Sequence, residues 1–265
     1  MHTGRLEDAM NSASPVGTRT TKRHTTVIRS LTRIVAAGLG VAAATYAGSA
    51  AFTWYRYGSP KPAAPDERDP LLDRFIPSYE VVERHHVRVQ APAEITLTAA
   101  CGQNLLASPV IRAIFKAREL ALGSTPDERA RPQALVPQML ALGWGILADA
   151  PGREIIMGAV TRPWEPNPRF RALDPVRFAA FDEPEYVKIA WSLRADAVGP
   201  HESIFRTETR AVATDGVARL RFRRYWAFVS PGVALIRQSS LNPLKADAER
   251  RARWRDHRAE CHPGH

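Results

Sequence analysis

"RTETRAVATDGVARLRFRRYW", residues 206–226, sets six arginines around a Thr-Asp-Gly turn. An Asp-Gly step between two alternating runs is a strong hairpin signal. Read that way, strands 203–213 and 217–226 pair across Asp215-Gly216, and 208 faces 223 while 207 faces 224. Side chains alternate along a strand, so Arg206, Glu208 and Arg210 share a face with Arg219, Arg221, Arg223 and Tyr225. Phe205, Thr207, Thr209 and Ala211 share the other with Ala218, Leu220, Phe222, Arg224 and Trp226. The second set is the apolar one and is expected to face a core. Five of the six arginines then lie on the wet side, with Glu208 opposite Arg223 as a surface pair worth about 0–1 kcal/mol. Arg224 is the exception. An inward guanidinium needs a carboxylate, a carbonyl or a ligand acid, unless it snorkels to water from the sheet's end.

Working outward, residues 80–90, "EVVERHHVRVQ", alternate as a strand. That alternation puts His85 and His86 on opposite faces, where they cannot chelate one metal together. Helical periodicity follows at 94–106 and 109–121, the second started by Ser108 as N-cap and Pro109 in its first turn. A polar loop spans 123–137. Period two then returns at 140–148, 153–160, 176–181 and 186–195, where Val187, Ile189, Trp191 and Leu193 share a face. After the hairpin, Ser230-Pro231-Gly232 opens a helix to about 254, striped by Leu235, Ile236, Leu241, Leu244 and Ala248, with a kink expected at Pro243. The order is one strand, two helices, six strands in hairpins and one long C-terminal helix. That is an α+β plan, a curved antiparallel sheet closed by a helix.

The bulk numbers suit one domain plus extras. The 265 residues are 45% hydrophobic and 24% charged, with a net charge of +10. Arginine outnumbers lysine 32 to 5, a usage that points to a GC-rich bacterial genome. The charge is spread along the chain and not gathered on one face, which argues against nucleic acid as a partner. Residues 1–33 carry six basic and two acidic side chains and are expected to be disordered. From Ile34 to Tyr55 there are 22 uncharged residues, about 33 Å of helix, enough to span a bilayer core. Basic residues precede the run and Trp54, Tyr55 and Tyr57 close it. The expectation is an uncleaved single-pass cell-membrane anchor with a cytoplasmic N-terminus and an extracytoplasmic domain; a cleaved secretory signal is the alternative. A Pro-rich linker over 56–76, a folded domain over 77–254 and a flexible tail over 255–265 complete the plan. The two cysteines, Cys101 and Cys261, read as separate thiols, although an oxidising compartment would permit a bridge. His257, Cys261, His262 and His265 in the tail match no standard zinc spacing. No nucleophile elbow, zinc-protease helix, phosphate loop or Cys-x-x-Cys occurs. No catalytic residue, metal or cofactor is therefore assigned.

Three phrases carry a resemblance: "DRFIPSYEVVERHHVRVQAPAEITLTAA" at 73–100, "FRTETRAVATD" at 205–215 and "FRRYWAFVSPGVALIR" at 222–237. Together with the element order, over roughly 75–250, they resemble the START-like (SRPBCC, helix-grip) superfamily, in a bacterial branch of unknown function. The resemblance implies a seven-stranded sheet curved around a long C-terminal helix, two short helices after the first strand, and a hydrophobic ligand between sheet and helix. Lipid carriers and polyketide aromatase/cyclases both belong to that superfamily, and fold does not settle function. The expected function is binding of a lipid or other hydrophobic small molecule by a membrane-anchored domain, more a binding protein than an enzyme. The expected ligand-binding residues are Trp191, Leu193, Phe222, Arg224 and Trp226 from the sheet and Leu235 and Ile236 from the helix. The alternatives are a polyketide cyclase-like enzyme and a module whose arginine-rich face meets an anionic membrane surface.

Overall fold

The computed structural model describes residues 37, 38, 40, 41, 43–124 and 132–261. The basic segment 1–33, part of the 123–137 loop and the end of the tail lie outside them. The chain divides into two compact units, Met1–Gly48 and Ser49–His265. The described residues of the first are helical and exposed, with the Thr45 hydroxyl donating to the Val41 carbonyl at 2.9 Å.

The second unit opens with a helical stretch, 49–56. Its helices are α1 (Pro70–Asp73), α2 (Ala93–Cys101), α3 (Pro109–Leu122), α4 (Leu135–Ala141), α5 (Pro175–Ala179) and α6 (Gly216–Cys261). Its strands are β1 (Val81–Val89), β2 (Gly145–Ala150), β3 (Glu154–Thr161), β4 (Val187–Gly199) and β5 (Glu202–Ala213). They form one sheet in the order β1-β5-β4-β3-β2, antiparallel throughout. The architecture is α+β with a long C-terminal helix against an antiparallel sheet, and the sheet has five strands, not seven.

Both missing strands became helix. Residues 176–181 mostly form α5, started by Asp174, whose carboxylate accepts the Arg177 amide at 3.0 Å. More consequential, 217–226 is the start of α6. Asp215 acts as a helix cap, its carboxylate accepting the Ala218 amide at 2.7 Å. Burial then follows the helical period. Ala218 and Phe222 are 0% and 1% exposed while Leu220, between them, is 48% exposed. Strand parity would have put all three on one face; i, i+4 spacing buries the first and last and turns the middle one away. The helix passes through Ser230 and on through Pro231 and Pro243, so Ser230 is not a cap but a buried seam residue. At 46 residues it is about 69 Å long, and it takes in the first part of the stretch expected as a tail.

Both sheet faces are covered, and all eight residues of β3 are buried. On the inner face, α2, α4 and the second half of α6 close a cluster built on Met157, Trp191, Leu193, Phe205 and Leu244. The start of α6 closes another, with Phe222 against Val81, Val187 and Ala211. The outer face is covered by the chain just before β1: Leu72, Phe75 and Ile76, from the stretch read as a linker, pack with Ile156, Val160 and Phe178. The arginines of β5 that strand parity turned outward are therefore largely buried. Arg210, 2% exposed, donates to Glu208 at 2.7 Å and to the Ile76 carbonyl at 2.9 Å.

The membrane anchor is corrected by the structure. No helix among the described residues is long and apolar enough to cross a membrane, so a single-pass anchor over 34–55 with an extracytoplasmic domain does not hold. The run is rich in Ala and Gly, and two of the three closing aromatics that suggested an interfacial belt, Trp54 and Tyr57, bind the domain. The Arg223 guanidinium lies 4.2 Å from the Trp54 ring centroid and donates to the Trp54 carbonyl at 2.9 Å. Tyr57 donates to Glu80 at 2.5 Å, and the Thr53 and Ser230 hydroxyls are 3.1 Å apart.

Candidate functional site

The register fixes two rows across the inner sheet face. Glu83, Thr209, Trp191 and Met157 stand side by side on β1, β5, β4 and β3, and His85, Thr207, Leu193 and Ile155 form the next row. A polar group of four, Glu83, His85, Thr207 and Thr209, thus sits together on a largely apolar face. His86 is on the opposite face and exposed. His85 Nε2 is 3.5 Å from Glu83 Oε2 and is buried without a hydrogen-bond partner.

Above these rows runs the buried seam of α6. Ser230 and Leu244 are 5% and 3% exposed, and Arg237 stands seven residues from each. Seven residues are close to two helical turns, so the seam passes through the guanidinium. Arg237 Nη2 donates to Thr209 Oγ1 at 2.8 Å and Nη1 to Thr207 Oγ1 at 3.5 Å, and the group lies 5.8 Å from the Trp191 ring centroid. Burial pulls its pKa down from the usual arginine value, and Glu83 opposes that shift by charge. A guanidinium stays protonated all the same. No ion pair to Arg237 is present among the described residues.

Trp144 extends the aromatic lining, edge-on to Trp191 at 6.2 Å and stacked on Phe170 at 5.1 Å. Gly143 permits this. It has φ of 95°, and a Cβ there would meet the Phe170 carbonyl oxygen at 2.3 Å. Helix α6 does not seal the face at this level. Val187, Leu193, Phe205 and Ala211 are buried, whereas Trp144, Ile189, Thr209, Trp226 and Arg237 retain partial solvent contact. The aromatic and polar side chains at this level are therefore less fully covered than the buried residues of the two inner clusters.

The residues expected at the site separate. Trp191 and Leu193 lie on the inner floor, 4% and 2% exposed. Phe222 is in the second cluster with Trp226 packed beside it. Ile236 is half-buried and Leu235 is 45% exposed. Arg224 points away from the sheet. It is exposed and lines an open surface groove of about 510 Å³ with Trp164, Arg221, Tyr225 and Phe228. The inward arginine belongs to the helix and not to a hairpin. Had 216–226 been read at period 3.6, the stripe Ala218, Phe222, Ser230, Leu244 and Ala248 would have pointed to Arg237.

Solved structures similar to this chain include a hypothetical protein from Helicobacter pylori, with 7% identity and a TM-score of 0.35 over 71% of this chain and 99% of that one. A START superfamily protein from Mycobacterium smegmatis has 12% identity and a TM-score of 0.27 over 65% and 97%. An aromatase/cyclase from a Streptomyces species has 14% and 0.22 over 64% and 94%. No protein-family model matches the chain, and no curated protein does. At these identities and scores the likenesses decide neither ligand nor activity.

Proposed function

We propose that the domain binds a hydrophobic small molecule, such as a lipid, between α6 and the inner face of the sheet. The observation that carries this reading is the partial exposure of Ile189, Trp144 and Trp226 in the middle of an otherwise buried apolar face. Apolar and aromatic walls with a few placed polar groups are the usual make-up of a small-molecule site. Trp191 forms the floor and Trp144 and Trp226 the sides, while Leu193 and Phe222 back them.

The test is a titration of the full chain with the neutral apolar fluorophore N-phenyl-1-naphthylamine. The expected result is saturable one-to-one binding that weakens about 10-fold or more in Trp191→Ala, since a buried aromatic contributes roughly 1.5–3 kcal/mol. Ile189→Trp, which adds bulk on the half-covered part of the inner face, is expected to weaken binding without loss of fold. Linear, unsaturable uptake, or equal affinity in all three proteins, overturns the reading.

A second reading, proton transfer on a bound polyketide-like chain, draws on one observation: the His85–Glu83 pair stands on the same face as Arg237. A general base must reach the proton that it removes. His85 Nε2 is buried in this arrangement, so binding is the better supported of the two.

A further inference from the structure

We infer that the ligand of this site is an apolar monocarboxylate whose acid group is received by Arg237. The inference rests on the binding reading above and names the class of molecule.

Arg237 carries the positive charge of the buried seam. Of the five N–H donors of a guanidinium, two are engaged, and both acceptors are neutral hydroxyls. The remaining donors have no protein acceptor among the described residues. Nε, which has no acceptor, is not among the polar atoms packed away from solvent without a partner, and the residue is only half-buried, so the guanidinium keeps an accessible edge. A cation removed from water is stable when a fork-shaped acceptor meets it, and a carboxylate does so with two parallel bonds. Thr207 and Thr209 each accept from Arg237 and keep an O–H to donate to the same anion.

The local charge favours a singly over a doubly charged anion. Glu83 stands beside Thr209 on β1 and acts on Arg237 through charge. Its carboxylate lies toward His85, at 3.5 Å, and makes no contact pair with the guanidinium. A single cation with a carboxylate nearby suits a monoanion, and Glu83 would repel a phosphate dianion. Next to the anchor lies the Trp191 ring, with Trp144 edge-on beyond it, so an acid held by Arg237 lays its apolar body against aromatic surface.

The experiment is isothermal titration of the full chain with decanoate, 1-decanol and decyl phosphate, on wild type, Arg237→Gln and Arg237→Lys. Wild type is expected to prefer decanoate over decanol by about 10-fold or more and to bind decyl phosphate no more tightly than decanoate. Arg237→Gln is expected to bring decanoate and decanol within about 2-fold, chiefly by weakening decanoate. Arg237→Lys keeps the charge without the fork and is expected to retain part of the preference, which keeps the test decisive if the Gln variant fails to fold. Equal binding of decanoate and decanol by wild type, a preference that survives in Arg237→Gln, or tighter binding of decyl phosphate overturns the inference and leaves the binding reading standing. If wild type binds none of the three, the binding reading itself fails.

Discussion

Glu208 holds two guanidinium groups at once, half-buried Arg84 at 3.0 Å and buried Arg210 at 2.7 Å. Removing one member of a buried ion network leaves the others charged and unpaired, which costs about 3–5 kcal/mol. Glu208→Ala is expected to lose that much in urea unfolding, whereas an exposed pair such as Arg88–Glu202 should be nearly neutral to substitution. Glu154, 3% exposed on the same outer face, makes a pH prediction. Burial, together with the Asp69 carboxyl beside it, raises its pKa to about 8, against the pull of Arg194 and Arg153. The fold then keeps a proton that the unfolded chain gives up in the ordinary carboxylate range. Stability from this group is complete at low pH and is lost as pH rises through about 8. Melting temperature followed from pH 5 to 9 is expected to fall in wild type and to fall less in Glu154→Gln, which should melt higher at pH 9 by roughly 5 °C. The residue scale was the least legible. Arg224 and Arg237 are both arginines on runs with apolar neighbours, and only the period of the element says which of them points inward.

At the scale of elements, α6 separates what could be read from what could not. The stretch 217–226 alternates apolar and basic residues at period two, and every second apolar residue also falls on period four. Short runs of this kind satisfy both patterns. Two contacts decide: a local cap, Asp215 on the Ala218 amide, and a tertiary one, the Tyr186 amide donating to Thr214 Oγ1 at 3.1 Å just past the end of the strand. Asp215→Ala is expected to lower the melting temperature, and Asp215→Asn to lower it less, because the amide oxygen still caps. The cap carboxylate has its pKa lowered by the backbone amides of Ala218 and Glu185. Its contribution is present above the ordinary carboxylate range and is lost as pH falls through the lowered value. Elements with one dominant signal were placed well from sequence. β1 alternates cleanly, and Ser108, the expected cap of α3, accepts the Ile111 amide at 3.4 Å.

For the molecule as a whole, the order of strand, helices, strands and long final helix was legible, because each class of period occupies a block of chain. The number of strands and the second covered face were not. Segment 56–76 carries prolines and charges that read as linker, yet its Leu72, Phe75 and Ile76 cover the outer sheet face. A sheet covered on both sides leaves the interior under α6 as the place for a ligand, and that is the central claim. It is tested most directly by native mass spectrometry of the full chain, incubated with excess decanoate and exchanged into volatile buffer. The expected result is a one-to-one adduct of the mass of decanoate on wild type, lost on denaturation and reduced in Trp191→Ala. Bare protein at every decanoate concentration, or an adduct equally abundant in wild type and Trp191→Ala, would contradict it.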